Sequence, residues 1–154
     1  MTLRGGIGNG PSRQYGHSGI FDAARDRVVI SHGFTDAGRF DDTWAYEFGT
    51  GRWRDLSLRT TRPLRRCLHY AVYDAVRGQM LLYGGCASGF GPCLLGGLRA
   101  FDLVSEQKAR RRLRLRASIT AHFLIQGRDR TILFGGSGRG SFSDTWEYNP
   151  GLRQ

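Results

Sequence analysis

The chain has 154 residues, 40% of them hydrophobic, which gives room for a real core and excludes a disordered chain by composition. Its 23 glycines follow no G-X-Y period, which excludes collagen, and no apolar run is long enough to span a bilayer. The formal charge is +10, yet Lys108 is the only lysine among 23 basic residues, so the arginine excess reads as codon usage and does not favour nucleic acid as the partner.

The chain opens on a Gly-rich lead-in over 1–10, with no apolar segment behind Arg4 of the kind a signal peptide needs. Residues 11–60 then read as a first repeat. His17 precedes an apolar strand, the turn at Asp22 to Asp26 and a second apolar strand through Val28, Val29 and Ile30. His32 and Gly33 close that strand. A loop from Phe34 to Phe40 leads to Asp42-Thr43-Trp44-Ala45-Tyr46-Glu47, and Trp53 lies seven residues after Tyr46.

Residues 61–116 repeat this order. His69, the turn at Asp74 to Gly78, the strand Met80-Leu81-Leu82-Tyr83 and the pair Gly84-Gly85 are followed by a loop from Cys86 to Leu95 and by Phe101 at the Tyr46 position. Lys108 replaces the tryptophan, and Arg110 to Arg116 alternate with leucine as a half-buried strand would. Residues 117–154 give a third pass: His122, the turn at Gly127 to Arg130, Ile132-Leu133-Phe134, Gly135-Gly136, a loop from Ser137 to Phe142, and Asp144-Thr145-Trp146-Glu147-Tyr148-Asn149. The last motif lies 102 residues after its first copy, two periods of 51. Its seventh following position would be 155, so the third repeat reads as truncated at Gln154.

A glycine pair, a spaced aromatic pair and a period near 50, in fixed order, carry a resemblance to the kelch-repeat family from about Pro11 to the end. The resemblance implies an all-β fold: a kelch-type β-propeller segment of about three four-stranded antiparallel blades, the third incomplete. It makes Gly33, Trp44, Tyr46, Trp53, Gly84, Gly85, Phe101, Gly135, Gly136, Trp146 and Tyr148 structural landmarks. A blade has two apolar faces and buries them only against neighbouring blades. Propellers usually have about 4–8 blades. Three blades therefore imply a piece of a longer reading frame, self-association to close a ring, or a decaying sequence.

Residues that vary between repeats are the ones expected to bind. The three loops offer Phe34, Arg39, Phe40, Phe90, Arg139 and Phe142, residue types favoured at interfaces, and the expected partner is protein. Cys86 and Cys93 bracket one loop and read either as a disulfide or as two free thiols. The recurrent histidines read as structural, and His32 as a glycine position that has drifted. Asp42, recurring as Asp144, reads as a turn residue.

No metal site is expected: Asp36, Asp41 and Asp42 lack the ligand order of a calcium loop. Some kelch propellers resemble galactose oxidase, a copper enzyme, but no motif here carries that resemblance at residue level. The expectation is a non-catalytic protein-binding scaffold without a cofactor. The alternatives are a fragment of a larger secreted, galactose-oxidase-like or carbohydrate-binding propeller, and a nucleic-acid contact through Lys108 to Arg116. The compartment is not legible.

Overall fold

The computed structural model describes residues 10–58, 63–87, 95, 97–113, 123–127, 130–137 and 140–149, with backbone alone for 108–113, 123–127 and 137. These residues form eleven strands and no helix. The first sheet holds β1 (Ser18–Asp22), β2 (Arg27–Thr35), β3 (Gly38–Glu47) and β4 (Arg52–Asp55). The second holds β5 (Tyr70–Asp74), β6 (Gln79–Tyr83), β7 (Leu98–Asp102) and β8 (Gln107–Leu113). The third holds β9 (Phe123–Gly127), β10 (Arg130–Ser137) and β11 (Ser141–Tyr148). All pairings are antiparallel, and every sheet follows chain order.

The 51-residue recurrence has a local cause in each sheet. The turns after β1 and β5 are closed by a buried aspartate gripping an arginine three residues on: Arg25–Asp22 at 3.1 Å and Arg77–Asp74 at 3.2 Å. The glycine-pair position lies within β2 and β10 and directly after β6. Gly84 and Gly85 have φ of 72° and 99°, and Gly135 and Gly136 have 64° and 127°. His32 occupies the first position of its pair at φ 57°, left-handed backbone that glycine adopts freely and histidine only at a cost. The ladder between β2 and β3 shifts register there, between Ser31 and Gly33. At Gly85 a side chain has no room either: a Cβ would stand 2.7 Å from the Cys67 carbonyl and 2.9 Å from the His69 Cβ.

Two expectations need correction. Asp42 and Asp144 lie within β3 and β11, not in turns. Each carboxylate accepts a hydrogen bond from the indole two residues on, Trp44 Nε1 at 2.8 Å from Asp42 and Trp146 Nε1 from Asp144. In both copies the pairing satisfies the ring N–H, which gives the recurrence of Asp-Thr-Trp a local cause. The stretch from Phe34 to Phe40 is also mostly strand: β2 runs to Thr35 and β3 starts at Gly38, so a tight hairpin replaces the expected loop.

The alternation of side chains gives each sheet two apolar faces, and the sheets stack in chain order. Ile20, Val29, Ala45 and Leu56 of the first sheet and its flank pack against Met80, Leu82, Phe101 and Leu103. The other face of the second sheet, with Leu81, Tyr83, Leu98 and Ala100, meets Leu133, Trp146 and Tyr148 of the third. Each fully buried side chain of this size stabilises the fold by roughly 1.5–3 kcal/mol. Among the described residues the backbones of different sheets approach most closely along their first strands, β1 with β5 and β5 with β9.

Polar ties reinforce the first seam. Leu68 N donates to the Gly16 carbonyl at 2.8 Å, Gly33 N to the Arg66 carbonyl at 3.0 Å, and Ser18 Oγ to the His69 carbonyl. At the other end of β2, Arg27 is 1% exposed. It donates to Asp22 at 2.9 Å, to the Leu103 carbonyl at 2.9 Å, to Glu106 at 3.3 Å and to Glu47 at 3.5 Å. Arg54 completes this network by pairing with Glu47 and with both oxygens of Glu106. Its hydrogen bonds hold the Glu106 carboxyl below the usual range.

Candidate functional site

The variable-loop residues are divided by the structure. Phe34 packs its ring on Tyr15 at 4.0 Å, and the two residues form an isolated backbone bridge. The Arg39 guanidinium lies 6.0 Å from the Phe34 ring, and its Nε donates to the Cys86 carbonyl at 3.0 Å. The Phe40 carbonyl accepts from Arg66 N at 3.3 Å. Arg39 and Phe40 thus belong to the seam between the first and second sheets, and Phe34 packs on residues of the first repeat. Phe142 lies on β11 of the third sheet and is 40% exposed. Phe90 and Arg139 lie outside the described residues, as do Arg114, Arg116 and His122.

The same seam contains two cysteines. Cys67 and Cys86 exchange backbone hydrogen bonds of 2.9 and 3.1 Å, in the position that Tyr15 and Phe34 occupy one repeat earlier. Cys67 is a buried free thiol, whereas Cys86 is disulfide-bonded. Cys93 lies outside the described residues.

Behind this seam is a cavity of about 150 Å³ between the first two sheets. Ser31, His32 and Thr43 line it from the first sheet, Leu82, Arg99, Ala100 and Phe101 from the second, and Leu58, Pro63 and Leu64 from the connecting segment. Local structure explains why polar groups gather here. The bulge at Ser31 to Gly33 turns a position that is glycine in the other two sheets into a fully buried histidine. Ser31 Oγ contacts His32 Nδ1 at 2.5 Å and Thr43 Oγ1 at 3.0 Å, and among the described residues His32 Nε2 has no hydrogen-bond partner. The His69 ring stands edge-on to His32 at 5.2 Å, is 4% exposed, and among the described residues has no hydrogen-bond partner at either nitrogen.

The site is cationic. Arg66, 2% exposed, donates to the carbonyls of Leu64 at 3.2 Å and Gly84 at 3.1 Å. Among the described residues no carboxylate pairs with it. Burial and then the charge of Arg99 pull its pKa down to about 10, so it keeps its charge at neutral pH. Burial, and after it the charge of Arg66, lowers His69 to about 3. His32 is also lowered well below its ordinary value, by burial first and then by His69 and Arg66. Both imidazoles are therefore neutral at pH 7, each with one donor and one acceptor nitrogen.

Sequence reading singles out each of these histidines but does not bring them together. Their meeting depends on the packing of two sheets and on the path of the 63–69 segment. The one available signal was that His32 departs from the glycine pair. Among the described residues no cluster of three His, Cys, Asp or Glu side chains is arranged to hold a metal ion. No helix of the described residues is long and apolar enough to cross a membrane. Comparison with protein-family models and with curated proteins returned no match.

Proposed function

We propose that the chain is a segment of a kelch-type β-propeller and serves as a non-catalytic scaffold for binding protein. The observation that carries this reading is that the stack of sheets ends in two apolar faces. In the second sheet, Met80, Leu82 and Phe101 are 0–5% exposed because the first sheet covers them. Their counterparts in the first sheet are Val28, Ile30 and Tyr46, which are half-buried and lie beside Phe21, itself 50% exposed. At the other end Phe134 is 42% exposed, although Tyr83 at the same place in the second sheet is 1% exposed. The close approach of first strands, with outer strands farther apart, also agrees with blades arranged around an axis.

Contiguous apolar surface of this kind is an association site. Because each sheet turns one face to its predecessor and the other to its successor, the surface that fits the first sheet is the exposed face of the third, supplied by a second copy. Such a contact is heterologous and closes only if the rotation per sheet completes a ring. Sedimentation velocity across a wide concentration range tests it. The chain should self-associate, and Phe21→Glu or Phe134→Glu should each weaken association roughly thirtyfold, about 2 kcal/mol for a buried aromatic anchor. A chain that stays monomeric throughout, or two variants that associate like the parent, would remove the reading.

A second reading, a fragment of a secreted propeller protein, is favoured by the disulfide at Cys86, since such bonds persist in oxidising compartments. Thiol titration of the denatured, unreduced chain should then find one free thiol per chain, that of Cys67. Three free thiols would count against it.

A further inference from the structure

We propose that Cys67, Cys86 and Cys93 form a thiol–disulfide exchange site, in which the buried Cys67 thiol displaces the sulfur bonded to Cys86 and moves the disulfide onto the Cys67–Cys86 bridge. The exchange does not depend on the scaffold reading.

Three observations place Cys67 for this step. First, Cys67 and Cys86 stand directly opposite each other: each backbone N–H donates to the other's carbonyl, at 3.1 and 2.9 Å. Residues paired in this way have Cα atoms about 5.5 Å apart, near the commonest Cα separation in disulfides. Second, opposite residues of an antiparallel pair share one face, and in this fold they meet there. One repeat earlier Tyr15 and Phe34 occupy the equivalent bridge, and their rings stand 4.0 Å apart. Cys67 Sγ donates to the Cys86 carbonyl at 3.7 Å, so the thiol already leans toward its neighbour. Third, the two backbones are drawn close. A Cβ on Gly85 would stand 2.7 Å from the Cys67 carbonyl, and only glycine allows that approach.

Burial favours an internal route. Cys67 is 1% exposed and Cys86 4%, so a dissolved thiol has poor access to either sulfur. The chain has three cysteines, Cys67 is free and Cys86 is disulfide-bonded. By count the sulfur bonded to Cys86 is therefore that of Cys93, which lies outside the described residues.

The step balances without an added reagent. The Cys67 thiol gives up its proton, and its sulfur attacks Cys86 Sγ. The Cys67–Cys86 bond forms and the Cys86–Cys93 bond breaks. The electron pair of the broken bond leaves on the Cys93 sulfur, which takes up a proton. One disulfide and one thiol remain, so nothing is oxidised or reduced overall. The new bond ties the segment carrying Arg66 and His69 to the chain just after β6, and the free thiol passes to Cys93, in the stretch that varies between repeats.

The test is alkylation of the native, unreduced chain with iodoacetamide at about pH 8, followed by peptide mapping. The label should appear on Cys93 within hours, the time scale of uncatalysed reshuffling, and the labelled chain should hold a Cys67–Cys86 disulfide. The labelling rate should not change with chain concentration, and Cys67→Ser should take up no label. The second variant is Cys93→Ser, which removes the leaving group and keeps the bridge. In a glutathione redox buffer it should form the Cys67–Cys86 disulfide and leave no free thiol, with far-UV circular dichroism confirming that it folds. Label on Cys67 would mean direct exposure of the buried thiol, and label on Cys86 would mean scrambling through the unfolded chain; either would overturn the proposal. A rate that rises with chain concentration would also overturn it, because the exchange would then run between chains. So would a folded Cys93→Ser chain that keeps both thiols or carries them as glutathione mixed disulfides.

Discussion

Acidification from pH 8 to pH 5 should remove about 2 kcal/mol of folding stability through His69 alone. In the folded chain this imidazole titrates at about 3, against 6.5 for the free group, because burial and the Arg66 charge disfavour the imidazolium. The unfolded chain therefore binds the extra proton first. The stability is fully present above pH 6.5 and is lost as pH falls toward 3, at about 1.4 kcal/mol per unit. His32 adds loss in the same direction. Asp42 acts against it, since burial raises its carboxyl and protonation then favours the folded form. Glu106 and Asp102, both lowered, contribute only further down the acid limb. Urea unfolding at pH 8 and pH 5 measures the difference. In His69→Gln, which stays neutral, the decline should shrink by about 2 kcal/mol; an undiminished decline would place the proton uptake elsewhere.

Arg27→Met should destabilise the fold by about 3 kcal/mol, close to the value for removing one partner of a buried ionic group. Methionine fills much of the same volume, so the loss is electrostatic. Asp22, 0% exposed, loses its most buried cation and keeps Arg25 and the Tyr73 side chain, and the Leu103 carbonyl and Glu106 lose a donor that joins the second sheet to the first. Arg25→Met is the comparison. Arg25 also pairs with Asp22 but is 30% exposed, so its loss should cost no more than about 1 kcal/mol. Equal urea midpoints for the two variants would show that the network binds the sheets no better than a surface pair does.

How much of this could be read from the sequence differs from residue to residue. The order of strands was legible because each pass repeats the same local chemistry, including turn aspartates, glycine pairs at positive φ and alternating apolar runs. Trp53, seven residues after Tyr46, lies in β4 and pairs with Tyr46. Of the strand expected over Arg110 to Arg116, residues Arg110 to Leu113 lie in β8 (Gln107–Leu113), and the rest of the Arg and Leu alternation lies outside the described residues. What was not legible involves contacts between passes. Arg39 reads as a loop residue offered to a partner, but its Nε donates to a carbonyl 47 positions away. Arg27 carried no pattern, since its role depends on Glu106 in a turn of the next sheet. His32, His69 and Arg66 converge only after two sheets stack, and no spacing rule connects them.

The stacking has an energetic corollary for the chain as a whole. Among the described residues its core is two thin seams in series and not one shared interior, and each sheet is coupled to its immediate neighbours. The middle sheet cannot open without dissolving both seams, whereas either outer sheet can detach at the cost of one. The first seam carries the Arg27 network and the backbone bonds around Arg66 in addition to its apolar contacts. Detachment should therefore begin at the third sheet, leaving a two-sheet unit whose cavity and ion network are intact.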